Sequence, residues 1–410
     1  MSQLALFGGP PVASRPVRKP WPVFDEAEEA LLLRAFRSGK WCRLAHDENP
    51  QESLVTQFED AFARYVGAKF AIAVTNGTQA LECALKAAGV RPGDEVIVPA
   101  LTFVATATAV VLVGATPVIV DVDPETYNMD PEAFRQAITR RTKAVIPVHN
   151  GGYPCDMDRI GEIAREHGLF VVEDCAHAHG SEWNGRRTGS LGHFGCFSFQ
   201  QGKTMTAGEG GIVLTSDETL AAAAYSTHNI GRIAGRPAAD TTFQIVASNL
   251  RMTEFQGAIL LGQLSRLDAQ IATREANIAY LAREMAAIPG IRPLARDPRV
   301  TRWSFYYWNF KYVQEEFEGV PRSLFIRAMN AEGIPVNRGA HGVPIYRHQA
   351  LQHAGIARVA PCPQADRVAD TEALSLPHAC FLGGREEMDL ILEAMHKVRR
   401  NAGELARRAG

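Results

Sequence analysis

The chain has 410 residues, 46% hydrophobic and 21% charged, which is globular composition with material for two or three domains. Its 43 basic and 45 acidic side chains leave a net charge of −2, so no electrostatic footprint for nucleic acid or an anionic membrane is present. No apolar run reaches the 18 residues or so of a membrane-spanning helix. The first ten residues lack the basic region and apolar run of a secretory signal. Seven cysteines (42, 83, 155, 175, 196, 362 and 380) are scattered and never spaced C-x-x-C. That pattern suits a cytoplasmic protein rather than a disulfide framework or a zinc finger.

The first twenty residues, rich in Gly, Pro and Arg, read as an arm on the surface. Helical patterns follow at about 24–38 and 51–66, the second amphipathic through Leu54, Phe58, Phe62 and Tyr65. From residue 71 short apolar runs alternate with helices. Runs beginning at Val96, Pro117, Ala144 and Phe170 start 21 to 27 residues apart, with helix-like segments at 104–113, 131–140 and 157–167 between them. Strands apolar on both faces and separated by helices predict a mostly parallel sheet covered on both sides. Two further strands are predicted at 195–199 and 211–215. Apolar residues at 260, 264, 267, 271, 278, 281, 285 and 288 predict one long helix over 254–288. A strand at 305–310, a helix near 321–332 and a Pro/His-rich stretch at 335–363 follow. The expected organisation is a large α/β domain over 1–254, arm included. A linking helix and a smaller α+β domain fill 255–410.

Three constellations carry chemistry. Thr75-Asn76-Gly77-Thr78 opens onto a helix, whose first-turn N–H groups form an anion site. A simple N-cap explains the same residues equally well. Glu173 and Asp174 stand at the carboxyl end of a buried strand, where open α/β sheets bind ligands. Cys175, His177 and His179 beyond them alternate as on one strand face. No second cluster completes a tetrahedron, so a metal is not expected. Only eight of the 43 basic residues are lysines, and Lys203 alone lies in a Gly/Ser/Thr-rich connection between apolar strands. Such an amine has a lowered pKa and forms a Schiff base with an aldehyde; an exposed lysine in a turn is the plain alternative. Together, a phosphate site, an acid and a lysine are the parts of a pyridoxal phosphate site, with Phe103 as a stacking ring or a core residue. Rossmann and P-loop fingerprints are absent.

At these residues the chain resembles the DegT/DnrJ/EryC1/StrS family of sugar and cyclitol aminotransferases, which have the fold of type I pyridoxal phosphate enzymes. The resemblance is an ordered series: Ser38-Gly39-Lys40-Trp41, Thr75-Asn76-Gly77-Thr78, Gly93-Asp94-Glu95, Gly114-Ala115-Thr116-Pro117, Pro147-Val148-His149, Glu173-Asp174, Ser198-Phe199 with Lys203, Gly208-Glu209-Gly210-Gly211 and Ser248-Asn249-Leu250-Arg251. It implies that Lys203 binds the cofactor and shuttles the proton, that Asp174 pairs with the ring nitrogen and that His177 lies near the 3′-hydroxyl. Phe103 then stacks on the ring, and Gly77, Thr78 and Ser198 cradle the phosphate. Asn249 reaches the phosphate of a neighbouring subunit, which implies a homodimer. Because Lys203 is a lysine and not a histidine, the resemblance implies a transaminase rather than a dehydratase.

The expected enzyme transfers an amino group from glutamate or glutamine to a keto sugar or keto-cyclitol. The even charge balance favours a non-nucleotide acceptor, and the loop arginines Arg232, Arg236, Arg338 and Arg347, able to grip a diphosphate, are the counter-evidence. The rivals are a broad-scope transaminase of small ketones and a non-catalytic, pyridoxal-phosphate-binding regulator.

Overall fold

The apolar runs assemble into one eight-stranded sheet in a computed structural model of the chain, which describes residues 3–237, 239–353 and 355–408. Seven strands come in chain order: β1 Phe70–Val74, β2 Glu95–Pro99, β3 Thr116–Val120, β4 Thr142–Val145, β5 Phe170–Asp174, β6 Phe194–Ser198 and β7 Gly211–Thr215. Their order across the sheet is β1-β7-β6-β5-β4-β2-β3, with Arg358–Val359 as an eighth strand beside β3. Only β7 runs against the rest, antiparallel to both β1 and β6. The sheet is therefore mostly parallel, as expected. Its central strands are buried along nearly their whole length, which is why they read as continuous apolar runs.

The helices fall close to their expected ranges, at Glu26–Ser38, Leu54–Val66, Ala105–Leu112, Pro131–Ala137 and Met157–Glu166. Asp130 caps the fourth by accepting from the Glu132 N–H, with Pro131 in its first turn. That helix ends three residues early because Ile138 turns extended, and the Thr139 hydroxyl then donates to the buried carboxylate of Glu95. Strand β1 and the helix Glu218–His228 are elements that the apolar-run pattern does not single out.

The long helix runs from Glu254 to Met285, about 48 Å at 1.5 Å per residue. Leu260, Leu267, Ile271, Ile278, Leu281 and Met285 form its buried stripe. Beyond it a four-stranded antiparallel sheet takes the order 291–293, 307–312, 373–377, 337–338. The chain past 255 also returns to the large sheet. Val359 pairs with Ile119, and the Arg358 guanidinium donates to Glu95 (3.2 Å) and to the Ala137 carbonyl (2.8 Å).

The N-terminal arm is fixed at both ends. The Ala5 and Val12 N–H groups donate to the buried carboxylate of Glu332, which also accepts from Lys397 Nζ at 2.8 Å. Further on, Trp21 Nε1 donates to the Gln201 carbonyl, so the arm lies across the connection that carries Lys203. No helix among the described residues is long and apolar enough to cross a membrane.

Candidate active site

Parallel strands deliver their carboxyl ends, and the helix starts that follow them, to one edge of the sheet. At that edge lies a cavity of about 920 Å³. Its wall includes Gly77, Thr78, Phe103, Asp174, His177, Ser198 and Lys203, seven of the eight residues expected at the site. The eighth, Asn249, lies outside the cavity on an exposed segment, where its side chain accepts from the Arg251 N–H.

The first wall is the start of the helix Gly77–Ala87. Asn76 takes two of its first-turn donors, the Gln79 N–H by its side chain and the Ala80 N–H by its carbonyl. The first-turn N–H groups of Gly77 and Thr78 precede any intrahelical acceptor, and both residues line the cavity. Packing forces the glycine here: a Cβ on Gly77 would sit 2.6 Å from Ser198 Cβ. Gly211 closes the same corner, since its own Cβ would sit 2.4 Å from the Asn76 carbonyl oxygen. The helix start thus touches the ends of β6 and β7. The N-cap is thus made by Asn76, and it leaves the Gly77 and Thr78 N–H groups free of it.

The two carboxylates of β5 point to opposite faces. Glu173 turns away from the cavity and accepts from the N–H groups of Gly189, Leu191 and Gly192 and from His149 at 3.0 Å. His149, Glu173 and Cys175 offer ligand atoms close together. The four donors already occupy both oxygens of Glu173, so this cluster reads as a hydrogen-bond hub behind the site. The strand ends at Asp174, so Cys175, His177 and His179 do not share a strand face: His177 enters the cavity wall, while His179 Nε2 donates to the Ser198 carbonyl at 2.9 Å.

Asp174 faces the cavity. Burial raises its pKa, opposed by the Thr106 hydroxyl at 2.8 Å, the Ala176 N–H and the charge of Lys203. Burial likewise lowers the Lys203 pKa to about 8, opposed by Asp174. Each ion is short of solvent and gains from a partner of opposite demand. Lys203 Nζ lies 4.6 Å over the Tyr306 ring. Its connection is held by its own backbone: the Phe199 and Gln201 N–H groups donate to the carbonyls of Gly210 and Gly208.

Aromatic side chains complete the wall. Phe103 is 59% exposed beside the sheet end, a large apolar face left open to the cavity. His177 stacks on Tyr306 (4.3 Å, 15°) and on His341 (5.0 Å, 29°). Burial, then the charge of Lys203, pushes the His177 pKa well below its ordinary value and that of His341 to about 3. Both rings are therefore neutral. Thr106, Tyr306 and His341 are absent from the sequence-based expectations. Thr106 sits one helical turn after Phe103, a readable signal; His341 is brought in by a distant loop and has no local one.

A helix N-terminus open to the cavity, a buried acid for a protonated ring nitrogen, an amine of lowered pKa and an open aromatic face fit pyridoxal phosphate, and these residues are the ones that would hold it. The arrangement defines a pyridoxal-phosphate-dependent transferase of fold type I. The model of the DegT/DnrJ/EryC1/StrS aminotransferase family matches residues 27–396, and the chain belongs to that family. It is 36% identical over 426 residues to an L-glutamine:2-deoxy-scyllo-inosose aminotransferase of Streptoalloteichus tenebrarius, covering 98% of this chain and 99% of that one. It is 43% identical over 348 residues to a GDP-perosamine synthase of Caulobacter vibrioides, covering 84% and 90%. The crystal structure of a 3-amino-5-hydroxybenzoic acid synthase superposes with a TM-score of 0.84 at 38% identity, over 96% of this chain and 100% of that one. The chain is accordingly a pyridoxal-phosphate-dependent aminotransferase of the sugar and cyclitol branch of this fold.

Gly77→Ala forces a methyl group against Ser198 and so moves one side of the anion site. The expected outcome is a folded protein whose affinity for pyridoxal phosphate falls at least tenfold, roughly the loss of one charge-assisted hydrogen bond or more. Titration of the cofactor-free protein by absorbance checks it, and unchanged affinity removes this corner from the phosphate site.

Proposed function

We propose that the enzyme aminates an uncharged keto-cyclitol or a similar non-nucleotide ketone, with glutamate or glutamine as donor, in the cytoplasm. The carrying observation is the charge of the cavity. Its described wall has one lysine, Lys203, no arginine, and three acids, Glu82, Asp174 and Glu209. A nucleotide diphosphate carries two negative charges that call for guanidinium or ammonium groups. Of the loop arginines expected to answer that call, Arg347 pairs with Asp366 and Asp370, and Arg236 pairs with Asp240 at 3.0 Å. Arg232 donates to the Asp240 carbonyl and lies over the Phe243 ring. These three are engaged, two by aspartates and one by a backbone carbonyl, whereas Arg338 is exposed, makes no ion pair among the described residues and stands against the reading. The cytoplasmic setting is supported by seven cysteines that are all free.

When bound, pyridoxal phosphate supplies an aldehyde and an electron-withdrawing ring that make the α-proton of a donor amine removable. In this proposal Lys203 Nζ holds the cofactor and afterwards moves that proton, since a pKa near 8 leaves a useful neutral fraction at neutral pH. Asp174 keeps the ring nitrogen protonated; the cation facing it offsets the burial that raises its own pKa. His177 donates or accepts at the ring's hydroxyl, and Phe103 covers the ring face. Gly77, Thr78 and Ser198 take the phosphate. Asn249 completes the phosphate site of a second copy, which makes the homodimer the active form; its exposed segment, with Ile230, Phe243, Ile245 and Val246 open to solvent, supports this.

Borohydride reduction is expected to fix the cofactor on the peptide containing Lys203, and mass spectrometry reads the site; label on Lys143 or any other lysine refutes the assignment. Lys203→Arg keeps the charge but cannot form the link or accept the proton, so turnover should fall by a factor of about 10²–10⁴ or more. For Asn249, sizing and activity assays at nanomolar concentration should lose activity as the dimer dissociates, and a fully active monomer ends that proposal. The acceptor class is decided by single-turnover amination with the isolated pyridoxamine form. scyllo-Inosose or simple ketones should react faster than nucleotide-linked 3- or 4-keto sugars, and the reverse order overturns the preference.

A further inference from the structure

His341 lies far from every motif that marks the site, yet it lines the cavity beside Phe103 (ring centroids 6.2 Å) and against His177. Its backbone is unusual. Ala340, His341 and Gly342 have φ of +50°, +64° and +73°, three left-handed residues in succession. Only the glycine adopts that region without steric cost. The turn is held from the other side of the fold. The Ala340 N–H donates to Asn309 Oδ1, and the Gly339 N–H to the Ala373 carbonyl. Asn309 in turn contacts buried Asn150, which accepts from the Tyr307 hydroxyl at 2.7 Å and donates to the carbonyl of Leu101, two residues before Phe103. One hydrogen-bonded chain thus fixes Phe103 and the His341 turn relative to each other.

The imidazole makes no use of this placement within the described chain. Its Nε2 is buried without a hydrogen-bond partner, and so is Nδ1 of His177 beneath it. Unpaired polar atoms on a strained turn in a cavity wall are the marks of a group set for a ligand. Its depressed pKa keeps the ring neutral, with one N–H and one lone pair, the equipment to read a hydroxyl or carbonyl oxygen and poor equipment to attract a phosphate.

We infer that His341 is a specificity-determining residue that hydrogen-bonds an oxygen on the ring of the keto acceptor. The inference rests on the cavity being the acceptor site, as proposed above, but not on which acceptor occupies it. His341 orients the acceptor ring and leaves proton transfer to Lys203. The left-handed backbone supplies clean variants: His341→Gly removes the imidazole at a position whose φ glycine prefers, and His341→Asn keeps a donor and an acceptor in a residue that tolerates this region.

The test measures the two half-reactions of holoenzyme separately by cofactor absorbance, using the best acceptor of the wild type and its analogues lacking one hydroxyl at a time. His341→Gly should slow the acceptor half-reaction at least tenfold more than the donor half-reaction, with His341→Asn between it and the wild type. The wild type should discriminate against one deoxy analogue at least tenfold, and His341→Gly should lose that discrimination. Equal loss in both half-reactions, or discrimination that survives the glycine variant, overturns the inference. If the best acceptor is a nucleotide-linked sugar, the acceptor class proposed above fails while the ratio of half-reactions still decides the role of His341.

Discussion

The site depends on keeping a carboxylate and an amine together in a place that solvates neither well. Asp174 ends a strand buried on both faces, and Lys203 sits on the connection that follows the next strand across. In water each charge would be well solvated and would gain little from a ligand of opposite sign. Here burial moves both pKa values toward the neutral forms, so each charge is worth more to a ligand that answers it. The parallel topology makes this possible, since β5 and β6 deliver both groups to the same edge. The glycine corner at Gly77 and Gly211 then lets the start of the helix Gly77–Ala87 pack directly on the ends of β6 and β7.

Much of this was legible in the sequence because the residues that carry it are local. Runs such as Val96-Ile97-Val98 are apolar on both faces because helices cover both, and the parallel sheet followed from that alone. Gly77, Asp174 and Lys203 each stand at an element boundary, where punctuation by glycine or a polar residue after an apolar run is visible in one dimension. Strand β1 was less visible, because Phe70-Ala71-Ile72-Ala73-Val74 spends two of its five positions on alanine. The return of Arg358–Val359 to the sheet could not be read at all. Two residues carry no periodicity, and their place is set by the partner of Arg358, a glutamate 263 residues earlier.

The wall of the cavity was the least legible part. Tyr306 falls within an aromatic run that reads as strand, yet the strand begins at Tyr307, and Phe305 before it takes a φ of +53°. A bulky residue in that region costs roughly 1–2 kcal/mol, so propensity argues against the conformation that tertiary packing imposes. The same holds at Ala340 and His341. Local rules fail where the fold stores strain.

The strand Arg358–Val359 also bears on how the smaller sheet can move. That sheet takes its strands from residues 291 to 377, and between its third and fourth strands in sequence the chain leaves to become part of the large sheet. The smaller sheet is thus tethered by the end of the long helix on one side and by both flanks of an embedded edge strand on the other. A hinge needs one flexible crossing; here a rotation would have to bend several, including the 300–302 strand that pairs with residues 182–183, and would pull on the pairing of Arg358 with buried Glu95. The loop 339–345 lies between these tethers, and the Ile345 N–H donates to the Ala100 carbonyl at the end of the β2 segment. These crossings oppose a rigid-body rotation of one sheet against the other and leave side chains and short loops as the parts of the cavity wall least tied down.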